Sequence, residues 1–161
     1  MLPVELKVLL LILIANGTPV IVTYLCGSQG HRPVDSGRVL TDGHRLFGAS
    51  KTWRGVALAL LATLSGALLL ELPVWIGLII GATAMLGDLL SSFIKRRLGL
   101  PSSGRALGLD QIPEALLPVL VVADTLGLSG TAIVGIVAGF VVLELALSRI
   151  LYRIGLRNQP Y

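Results

Sequence analysis

Apolar residues gather into five runs, at about residues 4–25, 56–72, 74–93, 112–126 and 131–152, with polar connections between them. A helix that crosses a bilayer needs roughly 20 residues, or about 17 at the short end. Four runs reach that length. The fourth does not, and it also carries Pro113, Glu114, Pro118 and Asp124. Polar backbone at membrane depth must be buried in protein or line a cavity, so this run is expected to be short, kinked or shielded by its neighbours. The connections alternate in character. Residues 72–73 and 127–130 read as tight turns, whereas residues 26–55 and 95–111 are long and polar. The pattern predicts an all-α integral membrane bundle of about five transmembrane helices with two polar loops, one domain over residues 1–161, and no internal repeat.

Composition supports lipid as the solvent. Hydrophobic residues make up 54% of the chain and charged residues 14%, against about 25% charged in a typical soluble domain. The N-terminal run is too long for the apolar core of a signal peptide, and no small-residue cleavage site follows it. Cys26 is the single cysteine, which excludes a disulfide framework and a cysteine-only metal site.

The net charge of +4 is explained by its distribution, without invoking nucleic acid. The first long connection holds Arg32, Arg38, Arg45, Lys51 and Arg54, and the second holds Lys95, Arg96, Arg97 and Arg105. Arg149, Arg153 and Arg157 flank the end of the fifth run. Of the 13 Lys and Arg residues, only Lys7 falls on the opposite side. The positive-inside bias then predicts an external N-terminus, with both long loops and the C-terminus in the cytoplasm. The expected location is the cell membrane, multi-pass, with anionic lipid at the basic face.

The third run ends Gly87-Asp88-Leu89-Leu90-Ser91-Ser92-Phe93-Ile94-Lys95-Arg96-Arg97. On a helical wheel Asp88, Ser91, Ser92, Lys95 and Arg96 fall within roughly 140°. Ala84 and Gly81 continue that face, small enough to admit a neighbouring helix or to leave a cavity. A carboxylate about two turns inside the interface costs about 2.5–3.5 kcal/mol, so Asp88 needs a partner or a function. One reading is an ion pair with Lys95 or Arg96. The other is a metal–phosphate site, with the carboxylate on Mg²⁺ and the cations on phosphate oxygens. Arg97 points away from this face, towards lipid headgroups.

The first loop contains Asp42-Gly43-His44-Arg45-Leu46-Phe47-Gly48-Ala49-Ser50-Lys51-Thr52-Trp53-Arg54-Gly55. Residues 48–52 echo the end of a P-loop but lack its first glycine and its preceding strand, so that match is rejected. A glycine-bearing turn with Lys-Thr before a helix still offers N–H groups, a cation and a hydroxyl to phosphate. A solvated basic loop with Trp53 as an interfacial anchor accounts for the same residues equally well. His31 and His44 lack a second His at ligand spacing. Asp110 and Glu114 stand where a helix begins, a place the helix dipole also favours for carboxylates. Asn16-Gly17-Thr18-Pro19 interrupts the first run, where Asn16 either satisfies backbone near the proline or lines a cavity beside Asp88.

Taken together, these segments resemble the CDP-archaeol synthase family of membrane cytidylyltransferases, related to CDP-diacylglycerol synthases. The resemblance rests on Ala15-Asn16-Gly17-Thr18-Pro19, Pro33-Val34-Asp35-Ser36-Gly37, residues 42–48 with 51–55, Gly81-Ala82 with residues 87–97, and Asp110-Gln111, in that order. It implies transfer of a cytidylyl group from CTP to a membrane lipid monophosphate in phospholipid biosynthesis, giving a CDP-lipid and pyrophosphate, with Mg²⁺. It further implies Asp88, Lys95, Arg96 and Lys51 as catalytic groups, with Asp88, Asp110 and Glu114 as metal ligands. Asn16, Asp42, Lys51, Thr52, Arg54, Ser92, Lys95 and Arg96 would line the substrates. Asp35 and Asp42 would shape the loop or add a metal contact. The family usually carries an Asp three residues after position 110, where this chain has Pro113. Either Glu114 replaces it with a one-residue shift or that contact is absent. The implied partners are CTP, the lipid phosphate and the bilayer, and a homo-oligomer is compatible with the sequence.

A small ion or solute transporter, or a membrane assembly subunit, is the competing class, with Asp88 on an ion path and Glu144 of the fifth run as its pairing partner. Two features weigh against it. No pair of spans is broken at the midplane, and the polar residues cluster at one interface instead of crossing the bilayer.

Overall fold

A computed structural model describes residues 2–27, 29–101, 106, 108–153 and 155. Arg105 and Arg157 lie outside the described residues. The chain forms five helices, α1 (Val4–Cys26), α2 (Trp53–Leu69), α3 (Val74–Arg97), α4 (Gln111–Leu126) and α5 (Gly130–Arg153). Among the described residues there is no strand, only isolated bridges between Pro33 and Thr52 and between Val39 and Arg45.

Helix boundaries follow local chemistry. Helix α2 starts three residues earlier than its apolar run because Thr52 caps it, Oγ1 accepting from the Gly55 N–H at 3.1 Å. Helix α3 continues through the polar stretch to Arg97, and its last turn holds Lys95, Arg96 and Arg97. Cations there complement the partial negative charge of the helix end. In α4, Pro113 occupies the first turn, where an N–H would have no helical acceptor. Pro118 and, in α1, Pro19 sit inside continuous helices.

Three helices, α1, α3 and α5, are long and apolar enough to cross a membrane. Helix α2 is apolar but only 17 residues long, and α4 has 16. At 1.5 Å per residue these two reach about 24–26 Å, short of the roughly 30 Å hydrocarbon layer. The main core joins Val8, Leu11 and Ile12 of α1, Ile76 and Ile80 of α3, Val119 and Val122 of α4, and Phe140 of α5. Nearer the loops, Ala15, Ala59, Ala84 and Met85 form a second cluster of mostly small side chains.

Small residues on α3 serve close helix approach. A Cβ added at Gly81 would fall 2.3 Å from the Thr63 hydroxyl of α2, and one at Gly77 would fall 2.5 Å from the Thr63 carbonyl. The small face of α3 is therefore filled by α2 at these positions and leaves no cavity there. Helix α5 lies on the outside, packed on α4 and α1, with Val134, Val142, Leu143, Leu147 and Ile150 exposed. An apolar face of this kind suits contact with lipid.

Candidate active site at the end of α3

Both long loops converge on the C-terminal half of α3. From the first loop, the Lys51 ammonium bonds the Asp88 carboxylate. From the second, Asp110 Oδ1 lies 2.5 Å from Lys95 Nζ. From α4, the Glu114 carboxyl sits against the Asp88 carboxyl. Asp88, Lys51, Glu114, Lys95 and Asp110 thus form one cluster drawn from four elements.

The ion pairs differ from those expected within the helix. Asp88 takes its bond from Lys51, not from Lys95 or Arg96. Lys95 is seven residues on, about 10 Å along the axis, and its ammonium is engaged by Asp110. Arg96 is buried and donates to the Pro101 carbonyl at 2.5 Å, tethering the start of the second loop. Burial opposes the charge on Lys51, but Asp88, Glu114 and Asp110 outweigh it and raise its pKa above the ordinary lysine value. Lys51 therefore stays protonated and ready to meet an anion.

Close helix contact places Glu114. A Cβ built on Gly87 would lie 2.3 Å from the Pro113 carbonyl oxygen and 2.9 Å from the Glu114 Cα. Only glycine lets α4 come this near, which brings the residue after Gly87 and the residue after Pro113 side by side. Residue 113 meets α3 with its backbone, and the acidic contact with Asp88 comes from Glu114.

The remaining predicted residues make contacts of their own. Asn16 donates to the Ile12 carbonyl of its own helix at 3.0 Å. Thr52 is the α2 cap. Arg54 donates to the carbonyls of Gln29 and Gly27, fastening the start of the first loop. Asp42 pairs with Arg97 at 2.8 Å. Ser92 is buried on α3, and its neighbour Ser91 donates to the Asp88 carbonyl at 3.0 Å. Asp110 makes no side-chain cap bond to α4, and its second oxygen accepts from the Ala106 N–H at 3.3 Å. Glu144 accepts from Gln111 Nε2 at 3.0 Å.

Arg97 corrects an expectation outright. It donates to the carbonyls of Arg45 at 2.7 Å and His44 at 3.3 Å, pairs with Asp42, and stacks over the Phe93 ring. The first loop folds back over the end of α3, so Arg97 pins that loop and is not committed to lipid.

The anchoring contacts of two further residues were not legible in the sequence. Gln111 is buried, accepting from the Gly108 N–H at 2.8 Å while it donates to Glu144, so it ties the second loop to α5. Asp35 is also buried. Burial alone would push its carboxyl up, but the Arg45 guanidinium and the N–H groups of Gly48, Gly37 and Phe47 prevail and hold it well below the usual carboxylate range. Its Asp-Ser-Gly turn was readable from sequence. Its contacts ten and more residues away were not. A surface pocket lined by His31, Arg32, Pro33, Ser36, Gly37, Arg45 and Trp53 shares no residue with the cluster.

Among the described residues no group of three or more His, Cys, Asp or Glu side chains is arranged to hold a metal. The paired carboxyls of Asp88 and Glu114 still suit Mg²⁺, which is commonly held by one or two carboxylates with water and substrate phosphates completing the shell.

Comparison with known proteins points one way. Residues 1–161 match a family described as CarS-like, CDP-archaeol synthase. A CDP-archaeol synthase of Thermococcus kodakarensis is 34% identical over 91% of this chain and 89% of its own length. That of Pyrobaculum aerophilum is 32% identical over 92% of both chains. A solved structure of an intramembrane enzyme for archaeal membrane lipids biosynthesis superposes with a TM-score of 0.71, at 36% identity over 88% of this chain and 90% of the other.

Proposed function

Since the chain belongs to the CDP-archaeol synthase family, and is thereby a membrane cytidylyltransferase that uses CTP and a lipid phosphate, we propose that transfer occurs at the cluster around Asp88 and that the acceptor is an isoprenoid ether-lipid monophosphate. The observation that carries the site is the convergence of Lys51, Asp88, Glu114, Lys95 and Asp110 at the end of the bundle where both loops meet. The acceptor follows from the product that names the relatives, CDP-archaeol.

In the reaction an oxygen of the lipid phosphate attacks the α-phosphorus of CTP. A new P–O bond forms, the bond between the α-phosphorus and its bridging oxygen to the β-phosphate breaks, and pyrophosphate leaves. Such transfers need little covalent help, so positioning and charge neutralisation carry them. Lys51 and Lys95 hold phosphate oxygens, giving up their carboxylate partners as substrate enters. Arg96 adds positive potential beside them. Asp88 and Glu114 would hold Mg²⁺, with Asp110 as a further candidate ligand. When bound, Mg²⁺ neutralises charge on the triphosphate. Glu114 takes the acidic place that Pro113 cannot fill.

The test is purified protein in detergent with labelled CTP, Mg²⁺ and a panel of lipid monophosphates. CDP-lipid should form fastest with the isoprenoid ether substrate. Equal rates with diacyl substrates would remove the ether-lipid assignment, and no product from folded protein would remove the transfer itself.

The loops and the site face the cytoplasm in this reading, where CTP is available, and the N-terminus lies outside. Twelve of the 13 Lys and Arg residues support that orientation. Native Cys26 is exposed at the loop end of α1. An impermeant thiol reagent should reach it in inverted membrane vesicles. Reaction from outside intact cells would refute the orientation.

A further inference from the structure

We propose that Asp35 is a positioning residue, whose carboxylate folds the first loop into the shape that presents Lys51 to Asp88. The inference rests on the reading of Lys51 as a phosphate-binding group only where activity is concerned. Its geometric content stands alone.

The Asp35 side chain is fully buried, and its two oxygens gather donors from two stretches of the loop. Oδ1 accepts from Arg45 Nη2 at 2.5 Å and the Gly37 N–H at 3.0 Å. Oδ2 accepts from Arg45 Nε at 3.3 Å, the Phe47 N–H at 3.2 Å and the Gly48 N–H at 2.9 Å. A carboxylate has about four lone-pair sites, and five donors saturate it. No capacity remains for a cation, so of the two roles open to Asp35 from sequence, loop shaping is the one its surroundings allow.

What it shapes is the frame of Lys51. The Val34 N–H donates to the Lys51 carbonyl at 2.8 Å, and the Trp53 N–H donates to the Arg32 carbonyl at 3.0 Å. Pro33 bridges to Thr52. Asp35 therefore stands one residue from this pairing on one side and, through Gly48, three residues from Lys51 on the other. Trp53 is exposed and Lys51 turns in to Asp88. Loosening the clasp at Asp35 frees both sides of the pairing and lets Lys51 leave the cluster.

The experiment compares wild type with Asp35→Asn in the full chain. Lysines are modified with a water-soluble amine-reactive ester in detergent and quantified by mass spectrometry, with Lys95 as internal reference. Asn presents an N–H₂ group to N–H donors and cannot satisfy them all. Lys51 should then react about fivefold faster or more, with Lys95 unchanged. Unchanged Lys51 reactivity overturns the proposal, and so does an equal rise at both lysines, which would mean general loosening. Turnover should fall alongside. A selective rise at Lys51 with undiminished turnover would leave the positioning role intact and count against Lys51 in catalysis. If Asp35→Asn does not fold, Arg45→Leu, which removes two of the five bonds, carries the same test with the same overturning results.

Discussion

Asp88→Asn should abolish turnover, by roughly a thousandfold or more, while the protein stays folded. The expected size reflects reliance on charge neutralisation, where loss of one key group at a phosphoryl-type transfer costs about 10³–10⁵ in rate. Asn keeps the size of Asp88 and can still accept a bond from Lys51. It cannot offer an anion to Mg²⁺ or to the ammonium. The substitution also leaves Glu114 as the sole carboxyl on that side of the cluster, against the same two cations. Initial rates with labelled CTP and thermal unfolding in detergent would be measured together. Near-native rates with Asp88→Asn would make Asp88 a structural ion-pair partner and move the site elsewhere.

Gly87→Ala should impair both stability and turnover, although it adds a single methyl group far less polar than anything in the site. The new Cβ would meet the Pro113 carbonyl oxygen at 2.3 Å and the Glu114 Cα at 2.9 Å. Both are backbone atoms, so no side chain can swing aside to relieve the clash. Overpacking of this kind costs about 1–3 kcal/mol. Because α4 must retreat from α3, Glu114 withdraws from Asp88, and a shift near 1 Å at a catalytic group is worth about 10²-fold in rate. Equal losses in stability and no loss in turnover of the folded fraction would show that the Glu114 contact is dispensable.

The span pattern and the polar face of α3 were legible in sequence because both are local. An apolar run needs only its own residues to announce a helix in lipid, and Asp88, Ser92 and Lys95 share a face by helical period alone. Partner choice was not legible. Lys51 lies 37 residues from Asp88 in the chain, and Arg97 lies 52 from the Arg45 carbonyl that it binds. Helical period states which way Arg97 leaves α3 but not what the first loop brings there. The same reason hid the distant partners of Asp35, whose local turn to Gly37 is an ordinary Asx turn. Its remaining partners become visible only when residues 45–48 return to it. Glu114 is intermediate. Its sequence position beside Pro113 left two readings open, and the near-contact at Gly87 decides which residue meets Asp88.

The short reach of α2 and α4 has a consequence for the lipid itself. Two helices of about 24–26 Å sit against α3 in a hydrocarbon layer of roughly 30 Å, and a bilayer meets such mismatch by thinning locally. Local thinning would then draw headgroups beside α2 and α4 towards the midplane, by about 2–3 Å on each side. A lipid phosphate drawn inward there would lie closer to the depth of the Asp88 cluster, while its chains stay in the bilayer.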